Sequence, residues 1–200
     1  MLRRLWITAF MMCIFLTCCG FAHLPNEINT ASLYVVEDNK APVYFIGDSR
    51  LYMMRLATGP AGVNWLAECG SGFEVLMNKV VPEIDGENLY GKTIIIEYGI
   101  NDIILLMGTY GAIASYTQFF NTKAQEWIAK GAVVKFVQVM PTGTDSTNAE
   151  IDRFNAAVTA AIPPNIHVVN LKNALEYGFL DNVHYNDSTS VLLYNLMLTR

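Results

Sequence analysis

Three side chains in this sequence could together activate a hydroxyl group. Ser49 stands in Phe45-Ile46-Gly47-Asp48-Ser49-Arg50, and Asp181 and His184 stand three apart in Asp181-Asn182-Val183-His184. A serine hydroxyl is a weak nucleophile, so a histidine must take its proton and a carboxylate must orient that histidine. In a helix-like turn, a spacing of three puts the carboxylate and the imidazole on one side. The histidines narrow the choice. His23 lies beside the N-terminal apolar segment and His167 lies in the apolar run 166–169, where it reads as a strand residue, which leaves His184 as the base. Attack on a carbonyl also makes an oxyanion, which needs preorganised donors. Gly72 can bring its N–H close because no Cβ blocks the approach, Asn101 offers a side-chain amide, and the Ser49 N–H would sit at a helix start. Alone, Gly-Asp-Ser is a turn or helix cap, Gly99-Ile100-Asn101-Asp102 a loop, and Asp-x-x-His a weak signal. Their joint occurrence, each after a strand, is what points to a site.

The elements that would position these residues are legible in outline. Residues 43–46, 93–98, 133–140 and 166–170 read as strands buried on both faces, with 63–68 a weaker fifth. Between them, Tyr116, Phe119, Phe120, Ala124, Trp127 and Ile128 share one helical face, as do Ile151, Phe154, Val158 and Ile162. Thr147 and Glu150 have the spacing of a capping box opening the second helix, and Pro163-Pro164 closes it. Residues 73–81 and 191–198 are shorter helical candidates. Continuous apolar strands alternating with amphipathic helices predict an α/β fold, a parallel sheet of about five strands covered on both faces. In such sheets ligands bind beyond the carboxyl ends of the strands, which is where all four fragments fall.

Composition bounds the rest. The 200 residues are 52% apolar and 16% charged, which suits one globular domain with a real core. With a net charge of −5 and no long basic run, nucleic acid is excluded as a partner. Residues 1–22 read as an export leader: Arg3 and Arg4, an apolar stretch from Leu5 to Thr17, then Gly20 and Ala22 at the −3 and −1 positions of a cleavage site. Two alternatives stay open, an imperfect lipobox that would acylate Cys19 and a retained signal anchor, so membrane contact is expected through the leader alone. Residues 23–41 form a polar extension with an edge-strand candidate at 33–36, and 42–200 the domain. Loss of Arg3 and Arg4 takes Lys+Arg from 13 to 11 against 18 acids, leaving −7. Of four cysteines, Cys13, Cys18 and Cys19 fall in the leader. Cys69, with no CxxC partner, reads as a small core residue at a strand end.

On these fragments the chain resembles the SGNH, or GDSL, hydrolase family. Ile46-Gly47-Asp48-Ser49 resembles its nucleophile block, Ser71-Gly72 its glycine block, Gly99-Ile100-Asn101-Asp102 its asparagine block and Asp181-Asn182-Val183-His184 its acid–base block. The resemblance spans about residues 43–198. It implies a flavodoxin-like three-layer α/β/α sandwich, Ser49 as nucleophile, His184 as base, Asp181 as its orienter, and Gly72 with Asn101 as oxyanion donors. Two departures stand out. Arg50 replaces the apolar residue common after the serine, which would charge the entrance and make Arg50 a candidate substrate contact. The glycine block reads Cys69-Gly70-Ser71-Gly72, without the asparagine that often precedes it, so Gly70 rivals Gly72.

Three acids remain. Asp48 and Asp102 are expected to brace loops by accepting backbone N–H groups. Glu97, in an apolar strand, would pair with Arg50, point into the cleft or reach water. The activity implied is exported ester hydrolysis through an acyl-enzyme, with neither metal nor cofactor. The substrate expected is a small acyl group on a glycan or cell-envelope polymer. A lipid or general carboxylester comes second, and a noncatalytic glycan-binding protein of the same fold is the rival outside the enzymes.

Overall fold

The apolar runs pair into one sheet. In the computed structural model, which describes residues 43–59 and 61–200, β1 (Val43–Gly47), β2 (Val63–Ala67), β3 (Thr93–Glu97), β4 (Val133–Val137) and β5 (His167–Val169) are all parallel, in the order β2-β1-β3-β4-β5. The predicted leader, the extension and the 33–36 strand lie outside the described residues.

Side chains alternate across the sheet with the two-residue period of a strand. Ile46, Ile94, Ile96, Val134 and Phe136 face one helical layer; Phe45, Ile95, Val137 and Val169 face the other. The second layer holds α1 (Ser49–Thr58), through Leu51 and Met54, and the C-terminal helix, through Leu193 and Met197. The first layer begins with α2 (Phe73–Val75), which passes through a π-helical stretch, Leu76–Val80, into α3 (Val81–Asp85). Pro82 lies just after that stretch, and its missing N–H interrupts the regular ladder there. A second π-helical stretch, Asp102–Leu106, leads into α4 (Gly108–Asn121), followed by α5 (Lys123–Ala129) and α6 (Asp145–Ala161); α7 (Asp187–Thr199) closes the chain. The three-layer α/β expectation holds.

Local details differ from the pattern reading. The face shared by Tyr116 to Ile128 belongs to two helices, because Thr122 leaves helical geometry and its hydroxyl donates to Gln118 O at 2.8 Å. Helix α6 starts at Asp145, so Thr147 lies inside it and forms no capping box. The Glu150 carboxylate instead accepts from the Thr109 hydroxyl and pairs with Arg153. Strands β2 and β5 are not buried on both faces. Each has a single neighbour, and His167 and Val168 are exposed on the β5 edge.

Candidate active site

The strand order decides where the loops meet. The chain leaves β1 for β2 on one side and later enters β3 on the other, so a crevice opens at the carboxyl end of β1. Ser49 follows β1 in the middle, Gly72 follows β2, and Asn101 follows β3. The acid–base loop comes from farther away, after β5. It reaches Ser49 because α7, which follows it, packs in the same layer as α1. A short antiparallel bridge, Phe179 with Tyr185, and a bond from the Leu180 N–H to His184 O pinch this loop so that Asp181 and His184 share one turn.

The three side chains form a continuous relay. His184 Nε2 lies 2.8 Å from Ser49 Oγ, and His184 Nδ1 lies 2.8 Å from Asp181 Oδ2. Ser49 and His184 are 6% and 8% exposed, whereas the Asp181 side chain is 44% exposed. Asp181 Oδ1 accepts from the N–H groups of Val183 and His184, each at 2.7 Å. Partial burial pushes the Asp181 carboxyl upward. The bonds from the His184 N–H, the imidazole and the Val183 N–H outweigh it and hold the group below the usual carboxylate range. Asp181 therefore stays ionised and keeps a proton on Nδ1, which leaves Nε2 free to accept from Ser49.

The candidate oxyanion donors are held by packing. Asp48 caps α1, its Oδ1 accepting from the Arg50 N–H at 2.9 Å, and the Ser49 N–H falls in the first turn, where a helix offers no carbonyl of its own to it. Gly70 and Gly72 divide their work. Gly70, at φ 71°, turns the chain so that the Ser71 N–H and hydroxyl both reach Glu68 O. Gly72 is extended, and a Cβ there would lie 2.6 Å from Asp102 Oδ1 and 2.7 Å from Leu106 Cδ1. A Cβ there would push against the Asp102 and Leu106 side chains, so glycine is what lets this peptide lie close to them.

Asn101 is buried, at 8% exposure, and its amide donates to Ser71 O at 2.8 Å, leaving a second hydrogen for the crevice. Because the peptide is trans, holding Ser71 O also fixes the direction of the Gly72 N–H. Asp102 braces the same loops, accepting from the Phe73 N–H and, at 2.7 Å, from the Tyr116 hydroxyl. Asp48 and Asp102 thus have the bracing roles expected of them.

Arg50 does not line the entrance, which corrects its reading as a substrate contact. It is 1% exposed and points inward, toward three backbone carbonyl oxygens. Its Nε donates to Val183 O at 3.1 Å, Nη1 to Met140 O at 2.9 Å and Nη2 to Pro141 O at 3.3 Å; Nη1 also lies 3.8 Å from Glu97 Oε1. Pairing with Arg50 was one of three readings of Glu97, and it is the one observed. Burial pushes the Glu97 carboxyl well above its usual value, the neighbouring Asp48 adds to this, and the Arg50 charge opposes it. Burial likewise raises Asp48 to about 6, against the charge and N–H of Arg50.

Two features of the surroundings escaped the pattern reading. Tyr185 places its ring 5.0 Å from the Arg50 guanidinium and donates its hydroxyl to Pro141 O at 2.7 Å; nothing in the sequence beyond its place after His184 marks it. Ile104, Leu105, Leu106 and Met107 follow Asn101 and are all exposed, a run visible in the sequence as apolar but not as surface. Cys69 is half-buried at the end of β2. Among the described residues no three His, Cys, Asp or Glu side chains converge as metal ligands.

No protein-family model and no curated protein sequence matches the chain. Solved structures do. A GDSL-like lipase from Bacteroides thetaiotaomicron aligns with a TM-score of 0.61 at 14% identity, over 84% of this chain and 93% of its own. A member of the lipolytic protein G-D-S-L family from Veillonella parvula gives 0.58 at 16%, over 79% and 96%. A carbohydrate esterase family 3 structure from Talaromyces cellulolyticus gives 0.52 at 16%, over 80% and 99%. The protein has the α/β fold of the GDSL hydrolases, the fold that its four sequence blocks imply.

Proposed function

We propose that the protein is a serine hydrolase of carboxylic esters that acts through an acyl-enzyme. The observation that carries this is His184, bonded at 2.8 Å to Ser49 Oγ on one side and to Asp181 Oδ2 on the other. Ser49 Oγ attacks the ester carbonyl carbon while its proton passes to His184 Nε2. The resulting oxyanion is held by the N–H groups of Ser49 and Gly72 and by the Asn101 amide. The C–O bond to the alcohol then breaks, and the imidazolium returns the proton to the leaving oxygen. A water molecule, deprotonated by His184, attacks the acyl-serine by the same route, releasing the acid and restoring Ser49. Each proton is accounted for by His184, so the chemistry calls for no metal or cofactor.

For the substrate, a small acyl group on a glycan or cell-envelope polymer is the first reading. It is supported by the leader-like N-terminus and by the presence of a carbohydrate esterase and an acetyl xylan esterase among proteins of the same fold. Export, with cleavage, acylation at Cys19 or retention of the leader, belongs to this proposal. A specific observation favours the second reading, a lipid or longer carboxylester. Leu106, 56% exposed, lies with Asp102 against Gly72, so apolar surface adjoins the proposed oxyanion donors.

The test is turnover of nitrophenyl esters of two to ten or so carbons beside acetylated glycans, with Ser49→Ala as control. Preference for acetyl esters and glycans supports the first reading, and a rise with chain length the second. Glycan binding without turnover by the wild type would establish the noncatalytic rival instead.

A further inference from the structure

We propose that Arg50 is a positioning residue, which holds the base His184 within reach of the nucleophile by fixing the peptide before it. The proposal rests on Ser49 and His184 acting as nucleophile and base. Burying a guanidinium is costly unless its donors are used, and a methionine could fill similar volume without that cost. Here all three nitrogens donate to backbone carbonyls, and all three carbonyls lie at the crevice: Met140 and Pro141 after β4, and Val183 in the acid–base loop.

The connectivity gives the arrangement its meaning. Arg50 is the chain neighbour of Ser49, and its own N–H is fixed by Asp48 Oδ1. Val183 is the chain neighbour of His184. Among the described residues, the turn carrying Ser49 and the loop carrying His184 share two hydrogen bonds: the reacting pair itself, and Arg50 Nε to Val183 O. The first must break and reform in each catalytic cycle, so the second is the one that can hold the distance throughout. The other contacts support it. Nη1 and Nη2 tie the same helix start to Met140 and Pro141, and the acid–base loop is stitched to that region by the Tyr185 hydroxyl on Pro141 O and by the Gly143 N–H on Asn182 O. The Tyr185 ring lies 5.0 Å from the guanidinium on one side, and Glu97 Oε1 lies 3.8 Å from Nη1. A lysine ammonium is a point charge and cannot span three carbonyls as a planar fork does.

The test is Arg50→Lys, assayed with a short nitrophenyl ester after counting competent sites by nitrophenol release from a phosphonate that labels Ser49. Turnover per titrated site should fall about 10- to 100-fold, the range for a displacement of catalytic groups on the order of 1 Å, with KM changed less than about twofold. The crystal structure of the variant should show Ser49 Oγ and His184 Nε2 separated beyond the roughly 3.5 Å limit of a hydrogen bond. Normal turnover per site with a lowered melting temperature would reduce Arg50 to a core residue. A raised KM at normal kcat would return it to substrate binding. Either result overturns the proposal. Should Arg50→Lys not fold, Arg50→Gln, which keeps one amide donor and removes the buried charge, takes its place. If the wild type neither turns over esters nor reacts with the phosphonate, the esterase reading fails separately. The two crystal structures then decide: an unchanged Ser49–His184 distance refutes positioning by Arg50.

Discussion

Replacing Asp181 by asparagine should abolish most turnover while leaving the loop intact, and the hydrogen bonds say why. Oδ1 accepts two backbone N–H groups, from Val183 and His184, and Oδ2 accepts one proton, from His184 Nδ1. An asparagine that keeps its oxygen toward the backbone preserves two bonds and loses one. The flipped amide preserves one and sets its N–H₂ against two N–H groups. The first orientation therefore wins, and the amide nitrogen faces Nδ1. That forces the imidazole proton onto Nε2, which then donates to Ser49 Oγ and cannot accept from it. A wrong tautomer of this kind costs about 10³- to 10⁴-fold in kcat, or about 4–5.5 kcal/mol of barrier. Because the Asp181 side chain is 44% exposed and loses one bond, stability should change by less than about 1 kcal/mol. Steady-state kinetics, melting temperature and ¹⁵N spectra of the His184 ring together test this. A variant with kcat within about tenfold of the wild type, or one that keeps the proton on Nδ1, would refute the tautomer reasoning.

Three further outcomes are expected. Ser49→Ala and His184→Ala remove parts of one unit, so the double variant should be about as slow as either single one; multiplied losses would mean that they act separately. Asn101→Ala should lower kcat by about 10²- to 10³-fold with little change in KM. It should also cost about 1 kcal/mol of stability through the lost bond to Ser71 O, and unfolding with normal specific activity would leave Asn101 as a brace alone. Asp48 supplies a pH dependence. Its carboxyl rises from 3.8 to about 6 on folding, so the folded state binds the proton more tightly, and stability falls as pH rises between those values. The loss is about 2 units at 1.36 kcal/mol each, or about 3 kcal/mol. Denaturant melts of wild type and Asp48→Asn from pH 4 to 6 should converge or cross by that amount, and a constant difference would rule this contribution out.

The legible parts of this protein are those whose cause is local. Residues 43–46 and 93–98 read as central strands because a strand with neighbours on both edges and helices on both faces has no polar side to show. Ser49 and Asn101 could be picked out because each follows such a run, Gly72 because it follows the weaker strand candidate, and Asp181 and His184 because they come after the last strand and are close enough in sequence to share a turn. The capping box at Thr147 and the single helix through Thr122 misled for the same reason. Both are local patterns, and the packing of Glu150 against Thr109 and the Thr122 hydroxyl on its own helix overrode them.

What the chain by itself determined is the set of reactive groups, their order and the strand ends that carry them, because residue type and two-residue periodicity are properties of one segment at a time. The tertiary structure alone decided which loops meet. The order β2-β1-β3-β4-β5 puts Gly72 and Asn101 on either side of Ser49, and α7 packing beside α1 brings His184 back from beyond β5. It also decided that Arg50 turns inward. The three carbonyls that attract the guanidinium lie 90, 91 and 133 residues away along the chain, and their convergence exists once the sheet has formed.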